Sequence, residues 1–425
     1  MAHPRRAARD PLEGARPTDR QSRIGGLSWL GIGACAALAC LAAPLALAQD
    51  DGLSLSAAYR VQRDSNLFRL ADGVNPLFAL GRPSAAETVH VRSVGLRYAR
   101  DFSLQRLEAD IGLVDYAYDT YDQLDLLARN HDLRWRWAIT PDLTGTVRTQ
   151  RDESVNSFED TSVLTQRNRR LRRFQSVDAN WRLDGAWTLI AEAQEARNEN
   201  QQPLVGEDSQ ILRTTGLGVR RETPKGSSLA LRWRSGEGET IDPNRPPAPL
   251  RDNDFRQDEW ALDARWPVTD KTRLEANLAW IDRVHERVAA RDYDALNWRV
   301  SANWTPSAKT LLRLSASEDF SSYQTSNASV TRTRRWTLNG TWVLTSKLSL
   351  QGSWGSADRD FQRPPPGTLP DIRKDRTRER LLSLRWAFAR QASLDLTWQD
   401  SRRQSNVPSW RYRSDLLRVG ISGRF

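Results

Sequence analysis

Arg134 and Arg136 alternate with Trp135 and Trp137, and this spacing of two puts both guanidinium groups on one side of an extended backbone. The same side of neighbouring segments collects Arg148, Arg182, Arg220, Arg232, Arg234, Arg265, Arg299, Arg313, Arg385, Arg418 and Arg424, with Glu108, Asp110, Asp178, Glu192, Glu259, Asp263, Glu275 and Asp395 among them. A guanidinium is a planar, permanently charged fork that grips carboxylate or phosphate through two parallel bonds. A low-dielectric wall with more of these forks than acids attracts and steers anions. The arginines are therefore candidate contacts for an anionic substrate. Pairing with the acids across strands, which would brace a wide wall, is an equally good use of any one of them.

Other chemistry has little footing. The four histidines, His3, His90, His131 and His285, show no metal-ligand spacing. Cys35 and Cys40 both lie in the first 48 residues, so the rest of the chain can form neither a disulfide nor a thiolate site. No Gly-x-Ser-x-Gly turn and no glycine-rich phosphate loop stands out. Neither an enzyme, a metal nor a cofactor is expected.

The elements that must position the arginines are strands. Leu296, Trp298, Val300, Ala302 and Trp304 oppose Asn297, Arg299, Ser301 and Asn303. Trp336, Leu338, Gly340, Trp342 and Leu344 oppose Thr337, Asn339 and Thr341. A period of two accounts for such runs and a helical period does not. They number about 18, from 52–62 to 413–425. Their connections alternate between short ones, such as Thr140-Pro141-Asp142 and Asp184-Gly185, and long ones near 63–86, 155–166, 239–253 and 361–374, the last two carrying Pro246-Pro247-Ala248-Pro249 and Pro364-Pro365-Pro366-Gly367. The predicted class is all-β: a transmembrane antiparallel β-barrel of about 18 strands, with short periplasmic turns and longer extracellular loops. A mean hydropathy of -0.65 is no objection, because half of each spanning strand faces a wet lumen. The last strand is apolar at Leu417, Val419, Ile421 and Phe425, opposes Arg418, Gly420, Ser422 and Arg424, and ends on Phe425, the expected assembly signal for the barrel-insertion machinery. It should pair with residues 52–62 and close the wall. Trp135, Trp137, Trp181, Trp187, Trp266, Trp304, Trp342 and Trp386 sit beside short turns, as an aromatic girdle on the periplasmic side would.

Residues 1–48 read as a secretory signal peptide. Arg5, Arg6, Arg9, Arg16, Arg20 and Arg23 precede an apolar run from Leu27 to Leu47, and Ala46-Leu47-Ala48 is a small-x-small cleavage site. Residues 49–425 are then the barrel, placed in the bacterial outer membrane among its lipid and lipopolysaccharide. The net charge of +10 falls to near +7 once the six leader arginines and three leader acids are removed. A basic balance of this kind can signal nucleic acid, but a secreted barrel meets lipopolysaccharide and anionic polysaccharide instead.

Several phrases go beyond declaring a barrel. Asp64-Ser65-Asn66-Leu67-Phe68-Arg69-Leu70 follows the first strand. Gln105-Arg106-Leu107-Glu108-Ala109-Asp110 and Val114-Asp115-Tyr116 mark the third, followed by Arg134-Trp135-Arg136-Trp137 with Thr140-Pro141, and by Asp184-Gly185-Ala186-Trp187. In this order they resemble the EpsL-like outer-membrane proteins of exosortase-associated exopolysaccharide gene clusters. The resemblance implies a part in exopolysaccharide biosynthesis, with polysaccharide export across the outer membrane and periplasmic export components as partners. It carries over no binding residue. Asn66, Leu67 and Phe68 could constrict the mouth or anchor the first long loop. A nutrient-uptake or general diffusion porin, and a non-conducting scaffold of an export complex, remain open on the same fold.

Overall fold

The computed structural model describes residues 52–159, 167, 169–201, 209–241, 254–287, 289–322, 330–362 and 373–425. The leader with its cleavage site and the two proline-rich loop segments lie outside the described residues. The strands of the first half are β1 (Gly52–Asp64), β2 (Glu87–Phe102), β3 (Gln105–Tyr118), β4 (Leu126–Ala138), β5 (Leu143–Val155), β6 (Arg169–Arg182), β7 (Trp187–Asn200), β8 (Gln210–Glu222) and β9 (Ser228–Thr240). Those of the second half are β10 (Phe255–Thr269), β11 (Thr272–His285), β12 (Tyr293–Ser307), β13 (Thr310–Ser322), β14 (Val330–Val343), β15 (Leu348–Gln362), β16 (Lys374–Trp386), β17 (Ala392–Ser405) and β18 (Tyr412–Arg424). Each pairs antiparallel with the next, and β18 returns to β1 through pairs such as Tyr59 with Ile421 and Val61 with Val419. Closure leaves no unpaired edge, the condition for a sheet to stand in hydrocarbon. The chain is an 18-stranded antiparallel barrel of the outer-membrane kind.

Side chains near the short turns satisfy the turn backbone. Asp184 accepts from the N–H groups of Ala186 and Trp187 at 2.7 and 2.8 Å, and these two bonds hold its carboxyl below the usual range. Thr140 and Thr345 each accept two backbone N–H groups in the same way. The strands run 13 to 16 residues, more than the roughly 9–11 needed to cross a bilayer. Their loop ends therefore rise beyond the membrane.

The tryptophans do not form a single girdle at the turn end. Trp135, Trp181, Trp187, Trp266, Trp304, Trp342 and Trp386 are exposed there as expected. Trp233, Trp260, Trp280, Trp336, Trp354 and Trp398 form a second exposed set farther up the outer face. Trp233, Trp260 and Trp280 stand directly opposite one another on three successive strands. On β10 and β14 the upper Trp lies six residues from the lower one, about 20 Å along the strand at ~3.3 Å per residue. The two sets bracket the apolar band from both sides, and only the lower set adjoins turns, which is why turn proximity alone missed the upper one.

Trp137 departs from both sets. It is half-buried because its ring lies across Gly145 on β5, its register partner. A Cβ at Gly145 would overlap the Trp137 ring and the carbonyl oxygen of Asp178. Overpacking of this kind costs about 1–3 kcal/mol. Gly145→Leu is therefore expected to lower the temperature at which the folded band converts to the unfolded band on a cold detergent gel. An unmoved transition would mean that the Trp137–Gly145 contact is dispensable.

Candidate functional site

The inner face of the wall places every predicted lumen arginine inward, but most of them are engaged. Arg134 and Arg148, partners in register, both hold Asp132, at 2.5 and 2.8 Å. Arg136 reaches Glu108 at 3.2 Å and Arg182 lies 4.0 Å from Asp142. Arg234 bridges Glu192 and Glu259 at 2.5 and 2.6 Å, and Arg232 holds Asp263 at 2.9 Å. Glu192 is on β7 and Arg234 on β9, so their bond must cross β8. It crosses at Gly216, where a Cβ would press on both side chains, at 3.2 and 3.0 Å. These arginines brace the wall.

Another group is free to meet a substrate. Arg265, Arg299 and Arg424 have no ion pair among the described residues and Arg385 reaches only the Ser393 hydroxyl at 3.4 Å, whereas Arg418, whose one partner among them is the Gln62 amide oxygen, is buried and closed to a passing solute. Arg313 has one loose partner, Glu275 at 3.8 Å. Arg220, Arg232, Arg265, Arg299 and Arg313 surround a recess of about 350 Å³ in the inner wall of β8–β13, against the acids Glu222, Asp263 and Glu275. Five cations face three carboxylates, so the recess keeps a positive surplus.

The inner face of β13–β18 is different in kind. Hydroxyls and amides dominate it and bond to one another: Ser315 to Thr337 at 2.5 Å, Ser353 to Asn339 at 2.9 Å, Ser383 to Thr397 at 2.8 Å and Ser393 to Ser422 at 3.0 Å. The lumen thus has one wall of arginines and acids and another in which hydroxyls and amides stand between fewer charges, among them Arg385 and Arg403.

At the loop end a cluster of loop side chains packs together that strand periodicity does not reveal. Phe68 is 1% exposed and meets Tyr121 and Phe158 edge-on, with ring centroids 4.7 and 4.8 Å apart. Leu70, Ala85 and Leu124 complete the cluster. Asn66 anchors the loop through its side chain, accepting from Leu70 N–H at 2.8 Å and donating to the Leu70 and Arg413 carbonyls. Asn66 thus anchors the first long loop, and Phe68 packs it against the two neighbouring loops. Arg69, with a left-handed φ of 54°, bonds to the Asn66 carbonyl, to both oxygens of Asp64 and to Ser414. Burial works against its charge, but Asp64, with Tyr412 and Glu159, outweighs that and raises its pKa.

The β5–β6 loop reaches across the opening. Arg403 on the inner face of β17 donates to the Glu159 carbonyl at 2.7 Å and lies 3.4 Å from its carboxylate. The wall between β5 and β17 runs through β4, β3, β2, β1 and β18, so this contact is a chord over that sector of the mouth. Sequence reading had no signal for Arg403 or Glu159, because they are 244 residues apart. Among the described residues no cluster of His, Cys, Asp and Glu could hold a metal ion.

The sequence model of the TonB dependent receptor-like β-barrel family matches residues 46–328. That described as "Putative beta-barrel porin 2" matches residues 264–425. No curated protein matches. Among solved structures, the chain is similar to OccK2 (OpdF) of Pseudomonas aeruginosa in complex with glucuronate, at 16% identity and a TM-score of 0.47 over 88% of this chain and 96% of that one. It is similar to OccK9 (OpdG) of the same organism at 12% identity and a TM-score of 0.47, over 88% and 99% of the chains. A mutant of that organism's ferric enterobactin receptor, PfeA, is similar at 9% identity and a TM-score of 0.45, over 88% and 81%.

Proposed function

The chain belongs to the TonB dependent receptor-like β-barrel family, and we propose that this barrel is an outer-membrane conduit through which an acidic extracellular polysaccharide leaves the cell. Eighteen strands fall in the range where a barrel encloses an aqueous channel, short of the roughly 22 of plugged transporters. The observation that carries the reading is the pairing of the arginine recess with the hydroxyl wall. An acidic sugar polymer presents carboxylates and hydroxyls together. Surplus arginines hold the carboxylates, and the hydroxyl-rich wall exchanges hydrogen bonds with the rings. Conduction requires sites strong enough to admit the permeant and weak enough to release it. Five arginines offset by three acids meet that condition better than an unbroken cationic lining would.

Export rather than uptake is favoured by the ordered phrases at 64–70, 105–116, 134–141 and 184–187, which resemble the EpsL-like proteins. In such a system the barrel would receive polymer from a periplasmic export component at its turn end and release it past the loops. Deleting the gene is expected to abolish secreted polysaccharide while cell-associated precursor accumulates, and restoring the chain should reverse both. Unchanged secretion would defeat the proposal.

A second reading has its own observation. The recess, at about 350 Å³, is in the range of small-ligand sites, which suits uptake of a small acidic solute. Proteoliposome swelling in sugar acids of increasing size separates the two: a sharp cut-off at monosaccharide size favours uptake, and entry of oligomers favours the conduit.

A further inference from the structure

Three arginines on β16–β18 stand side by side on the outer face of the barrel at its loop end. Arg378 is the register partner of Arg402, and Arg402 of Arg413. All three are exposed. Like charges directly opposite one another across strands are destabilising, so a row three wide calls for a counter-charge. The acids nearby supply only part of it. Arg402 pairs with Asp400 at 3.0 Å, and Arg413 with Asp415 at 3.2 Å and Asp400 at 3.7 Å. Arg376 is taken by Asp358 at 2.5 Å. Arg378 and Arg380 have no ion pair among the described residues. Five arginines thus share three aspartates.

What lies beneath the row says what kind of anion fits. Below the mixed row Arg380–Asp400–Asp415 come three wholly apolar rows, each in register: Leu382–Trp398–Leu417, Leu384–Leu396–Val419 and Trp386–Leu394–Ile421. All nine side chains are exposed on the lipid face. We propose that this sector is a binding site for lipopolysaccharide, with its phosphates on Arg378, Arg402 and Arg413 and its acyl chains on the apolar rows below. The loop end faces the outer leaflet, where such a lipid is met. Guanidinium forks match phosphate oxygens in pairs.

Other sectors differ. On β5–β7 a second row of three, Arg151–Arg173–Arg197, is in register, but its members are only half-exposed, Arg151 is held by Glu153 at 3.1 Å, and the row beneath it, Thr149–Gln175–Glu195, is polar. On β8–β10 the corresponding row is Arg213–Glu237–Arg256, alternating in sign and in register. Arg213 is already held by Glu195 and Glu239 at 2.8 and 2.7 Å, so that sector offers no unshared cations.

The test uses the full-length barrel in detergent, native mass spectrometry and bisphosphorylated lipid A as probe. The triple variant R378A/R402A/R413A is expected to lose at least tenfold in bound lipid A, while R213A/R256A retains it. Lipid A stripped of both phosphates should bind the wild type no better than lipid A binds the triple variant. Folding of each variant is read from its heat-modifiable gel shift. Should the triple variant fail to fold, Arg378→Gln, which strands no partner, is expected to give a partial loss. Equal binding by wild type and variants, or by the dephosphorylated lipid, overturns the site. Displacement of lipid A by inorganic phosphate alone also overturns it, since it would mark a simple anion site with no role for the apolar rows.

Discussion

Replacing Phe68 with Ala is expected to raise the ion conductance of the purified barrel severalfold while leaving its thermal unfolding in place. Phe68 fills the centre of the mouth cluster, against Tyr121 and Phe158. Removing a buried Phe ring costs about 3–5 kcal/mol in a well-packed core. Here that loss falls on a small cluster of loop side chains, the class of structure that opens most readily. The strands take no part in it, because their ladders close independently of the loops. Asn66 and Arg69 still tie the first loop to β1 and β18, so the segment should loosen without leaving. Single-channel recording in planar bilayers reads the conductance, and limited proteolysis between residues 65 and 86 reads the loosening. Faster cleavage with unchanged conductance would show that permeation avoids this sector of the mouth. Arg403→Ala, which frees Glu159 from the opposite side of the opening, should act in the same direction as Phe68→Ala and less strongly.

Why the mouth escaped sequence reading while the wall did not is a matter of period. A spanning strand with one face in lipid and one in water writes a repeat of two into its own residues, and every element from β1 to β18 carries it locally. The closing strand could therefore be assigned from Leu417, Val419 and Ile421, and its pairing with the first strand from their parity, as the register of Val419 with Val61 bears out. The inward side of the arginines followed from the same rule. Their partners did not, because parity fixes a face and leaves register open. Which of Arg134, Arg148 and Arg265 meets a carboxylate depends on how neighbouring strands slide. The bond between Glu192 and Arg234 further depends on a glycine in the strand between them. Phe68, Tyr121 and Phe158 lie in three different loops with no period at all, and only the closed wall brings them together. The upper tryptophans were legible in principle. Counting six residues from Trp266 to Trp260, or from Trp342 to Trp336, marks a second level on the same face.

The arginine recess yields the sharpest electrical test, because two of its members can be reversed without breaking a brace. Arg265 and Arg299 line it and have no ion pair among the described residues, so R265E/R299E leaves no carboxylate stranded. Two unit charges about 8 Å apart interact by roughly 0.5–2 kcal/mol at effective dielectrics between those of water and a protein surface, before screening. Reversing two charges beside a passing ion therefore changes its energy by enough to decide which sign is favoured. The wild type is expected to prefer anions. The double reversal should lower the anion-to-cation permeability ratio at least about fivefold, roughly 1 kcal/mol on the scale of tenfold per 1.4 kcal/mol. Reversal potentials in a KCl gradient measure this best at low salt, where the screening length exceeds the size of the recess. Arg234→Glu is the contrasting variant. It opposes Glu192 and Glu259 with a third carboxylate in a half-buried site, where like charges repel with little water between them, so it should impair folding before selectivity can be read. If R265E/R299E folds, conducts and keeps the wild-type reversal potential, the recess does not face the permeation path. Arg385 and Arg424, exposed near the turn end of β16 and β18, are then the next pair to reverse.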